Sequence, residues 1–356
     1  MHNSGLIQGI FFAGFIILIL VLLIMDLGVF EKKDKVVTFK RALVTTLIWI
    51  GLAVVFGLVI RFFGEQMHGV EDQQSLSEIV HAYHGKTLSS KIDAMPYEEA
   101  LNEYRRQSTL EYFTGYLIEY SLSIDNIFVM ILIFSSFAIP PLYYKRVLMW
   151  GILGAMIMRF VFIFVAGALI SKYEWVLVVF GVFLLYSAIK MFLERNKQEK
   201  IHPENNPIVR LSSKLFPVTN EITDHSFVKK IDGKRFITPL LLCLVAIEFT
   251  DVLFAVDSIP AIFSVTKDPY IVFFSNIFAI LGLRSLFFLI SSIIKMFRFL
   301  KVGLSVLLLF IGVKMIIEWE PIGIDIPIVL SLLIILGILL VSILLSIAFP
   351  EKKKTI

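Results

Sequence analysis

The chain has 356 residues, of which 58% are hydrophobic and 17% are charged, and its formal net charge is +4. Soluble domains are about 45–50% apolar. Together with a mean hydropathy of +0.85, the composition therefore indicates a protein embedded in a lipid bilayer. The small net charge gives no indication of a nucleic-acid partner, and the single cysteine, Cys243, excludes an intrachain disulfide and a thiolate metal cage.

Nine apolar segments are long enough to cross a membrane, which takes about 20 residues. They are 6–29, 43–64, 110–134, 147–170, 174–193, 237–262, 270–292, 302–318 and 325–349. The first segment lacks a basic start and a cleavage site, so we interpret it as a retained helix and not a signal peptide. The sequence thus predicts one all-α polytopic transmembrane bundle (1–356) with about nine spans.

Two connections are long, and their charges differ. Residues 65–109 are acidic, and we expect a solvated extracytoplasmic loop in which His68, His81 and His84 face water. Residues 194–236 are basic, and we expect a cytoplasmic loop that could hold membrane-protein partners. Basic loops alternate with neutral or acidic ones along the whole chain. By the positive-inside rule, this alternation places the N-terminus outside and the C-terminus in the cytoplasm of a cell inner membrane.

The middle of the chain contains a weak internal repeat, with residues 110–193 as the first copy and 237–318 as the second. Because the offset is three spans, the second copy would cross the membrane upside down. Inverted repeats are typical of secondary transporters, whose binding sites lie at the repeat interface. Three charged pairs occur in the same order in both copies: Glu119 with Glu248, Arg159 with Arg284, and Lys190 with Lys314.

Five carboxylates lie inside two apolar spans: Glu119, Asp125, Glu248, Asp251 and Asp257. A single acid at the centre of a membrane helix costs about 2.5–3.5 kcal/mol on insertion scales. Protonation, an arginine partner or a bound cation could each offset that cost. Their placement in equivalent spans of the two copies predicts that the five carboxylates converge near the membrane midplane.

Helix geometry limits that convergence. Glu248 and Asp251 share a helical face, but Asp257 would point away from Glu248 in an ideal helix. Pro260 offers a solution, because a kink or unwound turn near 256–260 would re-aim Asp257 and free backbone carbonyls for a cation. Oxygen ligands suit Mg²⁺, Ca²⁺ or Mn²⁺, and the absence of histidine from these two spans weakens a zinc site. The candidate metal ligands are Glu119, Asp125, Asn126, Glu248, Asp251 and Asp257.

Other polar residues in the spans have simpler interpretations. We interpret Arg159 and Arg284 as ion-pair partners or gate residues. Asn276 is expected to join helices by hydrogen bonds. Lys190 and Lys314 are expected to extend toward the membrane surface.

At these residues the chain resembles the TerC family of integral membrane proteins. The specific motifs are TGYLIEYSLSIDN at 114–126 and EFTDVLFAVDSIPA at 248–261, with further likeness at 25–30, 206–210 and 276–284. The resemblance implies a relation to the LysE-type exporter superfamily. It also implies manganese efflux, with the acids of the two motifs as the metal site. The 65–109 loop is longer than the family resemblance leads us to expect.

Several functions remain open at this point. The leading hypothesis is a secondary exporter of divalent cations that uses proton exchange, with Mn²⁺ as transported substrate, no cofactor and no enzymatic activity. The sequence has no phosphate-binding loop of the Gly-x-x-x-x-Gly-Lys-Ser/Thr type. It therefore gives no indication that the chain itself uses ATP to drive transport. A scaffold that assists the insertion or metallation of other proteins is one alternative, and a tellurite-resistance factor is another. An intramembrane aspartyl protease lacks support, because the Tyr-Asp and Gly-x-Gly-Asp motifs are missing.

The topology is tested by labelling. Single cysteines at positions 85 and 220, in a Cys243→Ser background, should react with an impermeant maleimide from opposite sides of the membrane, because the intervening spans are odd in number. Labelling of both from one side would contradict the topology and, with it, the inverted repeat.

Overall fold

A computed structural model describes residues 2–26, 37–173, 175–194, 217–219, 226–231, 234–293, 299–319, 322, 324 and 326–349. These residues form an all-α polytopic membrane bundle with one small β-hairpin. The helices are α1 (His2–Asp26), α2 (Phe39–Phe63), α3 (Gln73–Tyr83), α4 (Lys86–Asp93), α5 (Tyr97–Ser136), α6 (Tyr144–Lys172), α7 (Trp175–Glu194), α8 (Pro239–Phe263), α9 (Pro269–Leu281), α10 (Leu283–Ile293), α11 (Leu300–Ile317) and α12 (Ile328–Ala348). Short 3₁₀ turns occupy Gly64–Met67 and Pro141–Tyr143.

Seven helices in the described part of the chain are long and apolar enough to cross a membrane, and the bent pair α9–α10 makes an eighth. The predicted segment 302–318 coincides with α11, an apolar helix of 18 residues that lies outside that group. The predicted segments therefore match helices, while the count of nine spans remains a prediction. Many large apolar side chains on α1, α2, α6, α7 and α12 are exposed, as lipid-facing helices require.

The seventh predicted span, 270–292, coincides with two helices and not with one. It is broken between α9 and α10, whose axes differ by 47°. Gly282 lies at the break, where Trp49 of α2 packs against it at 3.4 Å from an ideal Cβ position. Glycine is a poor helix former and a common site of kinks. The backbone therefore bends where the neighbouring helix approaches most closely.

The prediction of a solvated loop over 65–109 is also wrong. Residues 64–96, here called the cap, fold into the first 3₁₀ turn, α3 and α4, and α5 begins already at Tyr97. Asp72 starts α3, because its carboxylate accepts a hydrogen bond from the Ser75 amide at 2.8 Å in a capping box. The cap and the first turns of α5 share a small apolar core, formed by Val70, Leu76, Val80, Ile92, Ala100, Leu101 and Tyr104.

Two of the cap histidines are buried, against the expectation that all of them face water. The side chains of His68 and His84 are each 2% exposed, whereas that of His81 is 56% exposed. His84 follows Leu76 and Val80 at helical spacing, so it continues the buried face of α3. His202 and His225 lie outside the described residues.

Helix α9 is the centre of the bundle, because every residue from Ile271 to Leu281 is buried. Its aromatic side chains meet those of surrounding helices, with Phe15 of α1 at 4.5 Å from Phe274 and Phe56 of α2 at 4.7 Å from Phe278 between ring centroids. A helix that is apolar on all sides must be enclosed by others or by lipid. Here the aromatic packing encloses it.

Helices α5 and α8 pack antiparallel. Gly115 near the start of the apolar part of α5 lies against Ile262 at the end of α8, at 3.0 Å from an ideal Cβ position. At the other end, Ile127 and Met130 share a core cluster with Leu240 and Cys243. This pairing sets the acidic motifs of the two helices side by side.

The 194–236 connection is described only in part. Residues Val228–Ile231 (β1) and Lys234–Ile237 (β2) form an antiparallel hairpin in which Val228 pairs with Ile237. The guanidinium of Arg146, at the start of α6, lies 5.3 Å from the ring centroid of Phe227 and holds the hairpin against the bundle. The predicted partner surface on this loop falls largely outside the described residues.

Lys314 on α11 has its amino group among the ends of α8 and α11, and its extension toward the membrane surface stays a prediction. Its side chain is buried, and Nζ donates hydrogen bonds to the carbonyl of Ser264 and to Glu318 at 2.8 Å. The carbonyl is available because it belongs to the turn after α8. Lys190 on α7 is exposed, as expected.

Helices α7 and α11 are the third helices of the two predicted repeat copies, and they cross at two glycines. An ideal Cβ at Gly181 would lie 3.1 Å from the carbonyl oxygen of Gly312, and one at Gly312 would lie 2.9 Å from that of Gly181. Small residues at such crossings let membrane helices approach closely. The contact is reciprocal, as an inverted repeat would require, although the repeat itself remains a prediction.

A methyl group at this crossing should destabilise the bundle. We expect Gly312→Ala to lower the free energy of unfolding by about 1–3 kcal/mol, because the added carbon meets a backbone carbonyl that cannot rotate away. Gly337→Ala on α12 is the matched control, since nothing lies within 4 Å of its Cβ position. Thermal unfolding in detergent measures both. Equal melting temperatures for the two variants would contradict the close crossing.

Candidate metal site

Four helices bring the acidic motifs to one buried arginine. Glu119 comes from α5, Arg159 from α6, Asp251 from α8 and Asn276 from α9. All four side chains are buried, and Arg159 is 1% exposed. The antiparallel packing of α5 and α8 around the enclosed helix α9 produces this meeting point.

Arg159 joins two of the predicted site carboxylates. Its guanidinium makes a short ion pair with Glu119 and donates two bonds to Asp251, at 3.2 Å to Oδ1 and 3.4 Å to Oδ2. Two-point contact between guanidinium and carboxylate fixes the orientation of both groups. The interpretation of Arg159 as an ion-pair partner is confirmed.

Neutral groups complete the surroundings of the guanidinium. The Nη1 atom lies 3.4 Å from Ser258 Oγ and 3.4 Å from Asn276 Oδ1. Asn276 Nδ2 in turn donates to Glu119 Oε2 at 3.0 Å, so Asn276 links α9 to both α5 and α6. This confirms its expected role between helices. Two carboxylates facing one guanidinium leave a formal excess of one negative charge.

Glu248 lies one turn before Asp251 on α8 and faces α6. Its carboxylate occupies the space beside Gly154, where a Cβ atom would collide with it. It makes no hydrogen bond and no ion pair with any residue that the structure describes. Gly154 is thus a part of the site that the sequence did not reveal, since a glycine in an apolar helix carries no chemical signal.

Asp257 is directed away from Arg159. Its carboxylate accepts a hydrogen bond from Ser187 Oγ of α7 at 2.8 Å. Of the two alternatives predicted near 256–260, the unwound turn is wrong, because α8 stays helical from Pro239 to Phe263. Pro260 lies in the last turn of the helix, where its missing N–H leaves only one carbonyl without its helical donor. Asp257 therefore keeps the direction that an ideal helix gives it.

Asp125 and Asn126 lie about 9 Å further along α5 than Glu119, at 1.5 Å per residue. Asp125 is half-buried and Asn126 is buried. The Nδ2 atom of Asn126 has no hydrogen-bond partner among the described residues. A buried amide of this kind is rare in a folded protein.

The acids thus occupy four places on α5 and α8, one of which is that of Asp125, further along α5. Glu119 and Asp251 share Arg159, Glu248 lies one turn from Asp251, and Asp257 faces α7. Within the described ranges, no three histidine, cysteine or acidic side chains are arranged around one point that could hold a metal ion. The prediction that all five carboxylates converge is therefore wrong for this structure, which brings only Glu119 and Asp251 together, whereas the assignment of these acids as metal ligands stays a prediction.

Comparison with known proteins supplies the family. The family model "Integral membrane protein TerC family" matches residues 104–354. The chain is 41% identical over 335 residues to the uncharacterized membrane protein STKORF319 of Myxococcus xanthus, covering 94% of this chain and 91% of the relative. It is 37% identical over 340 residues to the Escherichia coli K12 protein named "Putative membrane-bound redox modulator Alx", covering 94% and 92%.

A protein of the same name from Salmonella typhi is 47% identical over 241 residues, which cover 67% of this chain and 72% of the relative. No solved structure matches the chain. The matched region contains both acidic motifs, Arg159 and Asn276, so the residues that build the buried site lie inside the region that matches the family. The chain belongs to the TerC family of integral membrane proteins.

Proposed function

We propose that this protein is a secondary transporter that exports divalent metal cations, with Mn²⁺ as the principal substrate, across the cell inner membrane. One observation supports the proposal most directly. Along α5 and α8, Glu119, Glu248 and Asp251 lie in apolar helices, and Arg159 pairs with only Glu119 and Asp251. A buried excess of negative charge attracts a cation, because an isolated charge in a membrane is unfavourable.

The chemistry of the side chains selects the class of cation. Carboxylate, amide and hydroxyl oxygens bind hard cations such as Mg²⁺, Ca²⁺ and Mn²⁺. Mg²⁺ tends to keep its water ligands, and Ca²⁺ prefers six to eight oxygens in a flexible site. A compact group of carboxylates with the amide of Asn126 fits Mn²⁺ better. The outward direction rests on the family resemblance alone.

Arg159 would act as the resident cation of the site. Its guanidinium already lies between Glu119 and Asp251, in the position that a metal ion would need in order to use both carboxylates. Metal and guanidinium therefore compete, and the empty transporter keeps its carboxylates neutralised. This competition also accounts for the lack of a preformed three-ligand centre among the described residues.

Proton exchange is the proposed energy source. Glu248 has no ion-pair partner within the described chain, so a proton can neutralise it when no metal is bound. Metal entering would then release protons, and protons entering from outside would release metal. The same carboxylates would serve both ions, as antiport requires.

The name of the Alx relatives refers to redox modulation. A thiol–disulfide couple within this chain is excluded, because Cys243 is its only cysteine and is buried in α8. An effect on redox balance would then follow from the metal that is exported. The scaffold and tellurite hypotheses have no specific observation in their favour.

Neutralising the site acids tests the proposal. We expect Asp125→Asn and Asp257→Asn each to lower the initial rate of Mn²⁺ uptake into everted vesicles by at least about tenfold, which corresponds to 1.4 kcal/mol in activation free energy. Asp93→Asn, on an exposed carboxylate of the cap, is the matched control and should transport normally. Normal uptake by both site variants would show that the metal-site assignment is wrong.

A transport assay with purified protein distinguishes the transporter hypothesis from the scaffold hypothesis. Proteoliposomes that contain only this chain should move Mn²⁺ in response to a pH gradient. A scaffold needs client proteins and would move none. Failure in proteoliposomes, together with manganese tolerance in cells that depends on other proteins, would favour the scaffold.

Removing the resident cation gives an independent prediction. Arg159→Gln should lower the melting temperature in metal-free buffer, since breaking a buried pair costs about 3–5 kcal/mol. Saturating Mn²⁺ should raise the melting temperature of this variant by more than it raises that of the wild type. A ligand at 100 times its Kd adds about 2.7 kcal/mol. Transport should be lost, because the empty state can no longer neutralise Glu119 and Asp251.

Arg284→Gln is the control for that experiment, as it removes the other buried arginine of the predicted repeat. It should show no enhanced stabilisation by Mn²⁺. If Mn²⁺ stabilises Arg159→Gln no more than the wild type, Arg159 does not occupy a metal position.

A further inference from the structure

Four ionisable side chains are buried where the cap meets the ends of α5 and α8, away from the metal site. His68 Nε2 lies 3.4 Å from Asp268 Oδ2, and His84 Nε2 lies 3.4 Å from Glu111 Oε1. Each of the four side chains is at most 3% exposed. Both histidines belong to the cap, whereas both carboxylates belong to the bundle.

Contacts with neighbouring groups orient the side chains of His68 and Asp268 toward each other. His68 Nδ1 lies 3.1 Å from the Tyr104 hydroxyl, which leaves Nε2 toward Asp268. Asp268 caps α9, because its Oδ1 accepts from the Tyr270 amide at 2.9 Å, and this leaves Oδ2 toward His68. Neither Nε2 of His68 nor Oδ2 of Asp268 has a hydrogen-bond partner in the described part of the chain.

The second pair is arranged in a similar way. The ring of His84 packs edge-on against Tyr104, with 5.9 Å between ring centroids. Glu111 Oε1 also accepts from Gln107 Nε2 at 3.1 Å, while Oε2 has no hydrogen-bond partner among the described residues. One tyrosine thus separates the two histidines.

The other titratable groups around the pairs do not supply the missing positive charge. Tyr83 faces His68 from α3, with ring centroids 5.3 Å apart, and Tyr270 faces it from α9 at 5.1 Å. Glu65, from the first 3₁₀ turn, is already paired with Arg105 of α5 at 2.6 Å. Buried carboxylates without a counter-charge are unfavourable. The imidazoles can provide that charge only when they are protonated.

We propose that the pairs of His68 with Asp268 and of His84 with Glu111 form a proton-operated latch, which fastens the cap to the bundle while the His84 imidazole is protonated and releases it at alkaline pH. The ligand of this site is the proton. The inference rests on the contacts between the cap and the bundle and does not depend on the proposed transport function. Release would uncover the ends of α5 and α8, the two helices that carry the acidic motifs.

The charges around His84 and Asp268 determine the direction in which the pKa of each group is shifted. Burial lowers the pKa of His84, but the carboxylates of Glu111 and Asp268 outweigh it and hold that pKa above its ordinary value. Burial raises the pKa of Asp268, but the charge and contact of His68, the Tyr270 amide and His84 together lower it overall.

Stability from His84 is therefore fully present below its unfolded pKa, about 6.5, and is lost as pH rises through the raised folded pKa. Stability from Asp268 is lost only as pH falls through its lowered folded pKa. The latch thus holds from the lowered pKa of Asp268 up to the raised pKa of His84.

A buried cysteine reports the opening of the cap. Val80→Cys, placed in the apolar core of the cap in a Cys243→Ser background, should react with a maleimide only when the cap detaches. Ser90→Cys, at an exposed position, corrects for the effect of pH on thiol reactivity. The ratio of the two rates in purified full-length protein should rise at least about tenfold between pH 5.5 and 8.5, a change equivalent to one pKa unit of linkage.

Histidine variants assign the effect. His68→Gln with His84→Gln should make the ratio independent of pH, and each single variant should reduce the rise. His81→Gln is the matched control, because His81 pairs with Asp93 on the exposed surface of the cap and should leave the rise unchanged.

Three outcomes would overturn the latch: a flat ratio in the protein with native histidines, a rise that persists in the double variant, or an equal loss of the rise in His81→Gln. A chelator supplies the last test. If EDTA at pH 5.5 exposes Val80→Cys while the histidines are intact, a metal ion and not a proton holds the cap.

Discussion

Every helix around the acidic motifs is positioned by one constraint, the need to neutralise carboxylates inside an apolar bundle. Arg159 meets that need for Glu119 and Asp251, which come from helices that pack antiparallel. The guanidinium can reach both only if α5, α6 and α8 converge. Because an unpaired charge in this environment would be strongly unfavourable, the pairing fixes the rotation of all three helices, and Asn276 adds α9 to the same network.

Helix α9, which is enclosed by other helices, restricts the movement of the helices that meet at Arg159. Aromatic contacts from α1, α2 and α5 surround it, and interiors packed in this way resist small displacements. Its partner α10 departs at Gly282 with a bend of 47°. A rigid centre next to a break is an arrangement in which one half of a bundle can move relative to the other, as alternating access requires.

Buried carboxylates also lie where the cap meets the bundle, but there they face histidines and not an arginine. In the membrane, an arginine that is always charged holds Glu119 and Asp251. At the helix ends, His68 and His84 face Asp268 and Glu111, and a histidine is charged only when protonated. The same principle therefore gives a pairing with a cation of fixed charge in the bundle and a pairing that depends on pH at its edge.

The sequence by itself determined the membrane class, the positions of the helices and the family, because a membrane span requires a long apolar run and the acidic motifs are unusual within one. It also singled out the acids and the role of Arg159. Periodicity describes one helix at a time, so it could not decide which acids share a cation. Asp251 meets Arg159 from 92 residues away, and Asn276 meets Glu119 from 157. Only the tertiary structure turned Asp257 toward Ser187, broke the seventh segment at Gly282 and buried two cap histidines, because each depends on a neighbour that lies far away in the chain.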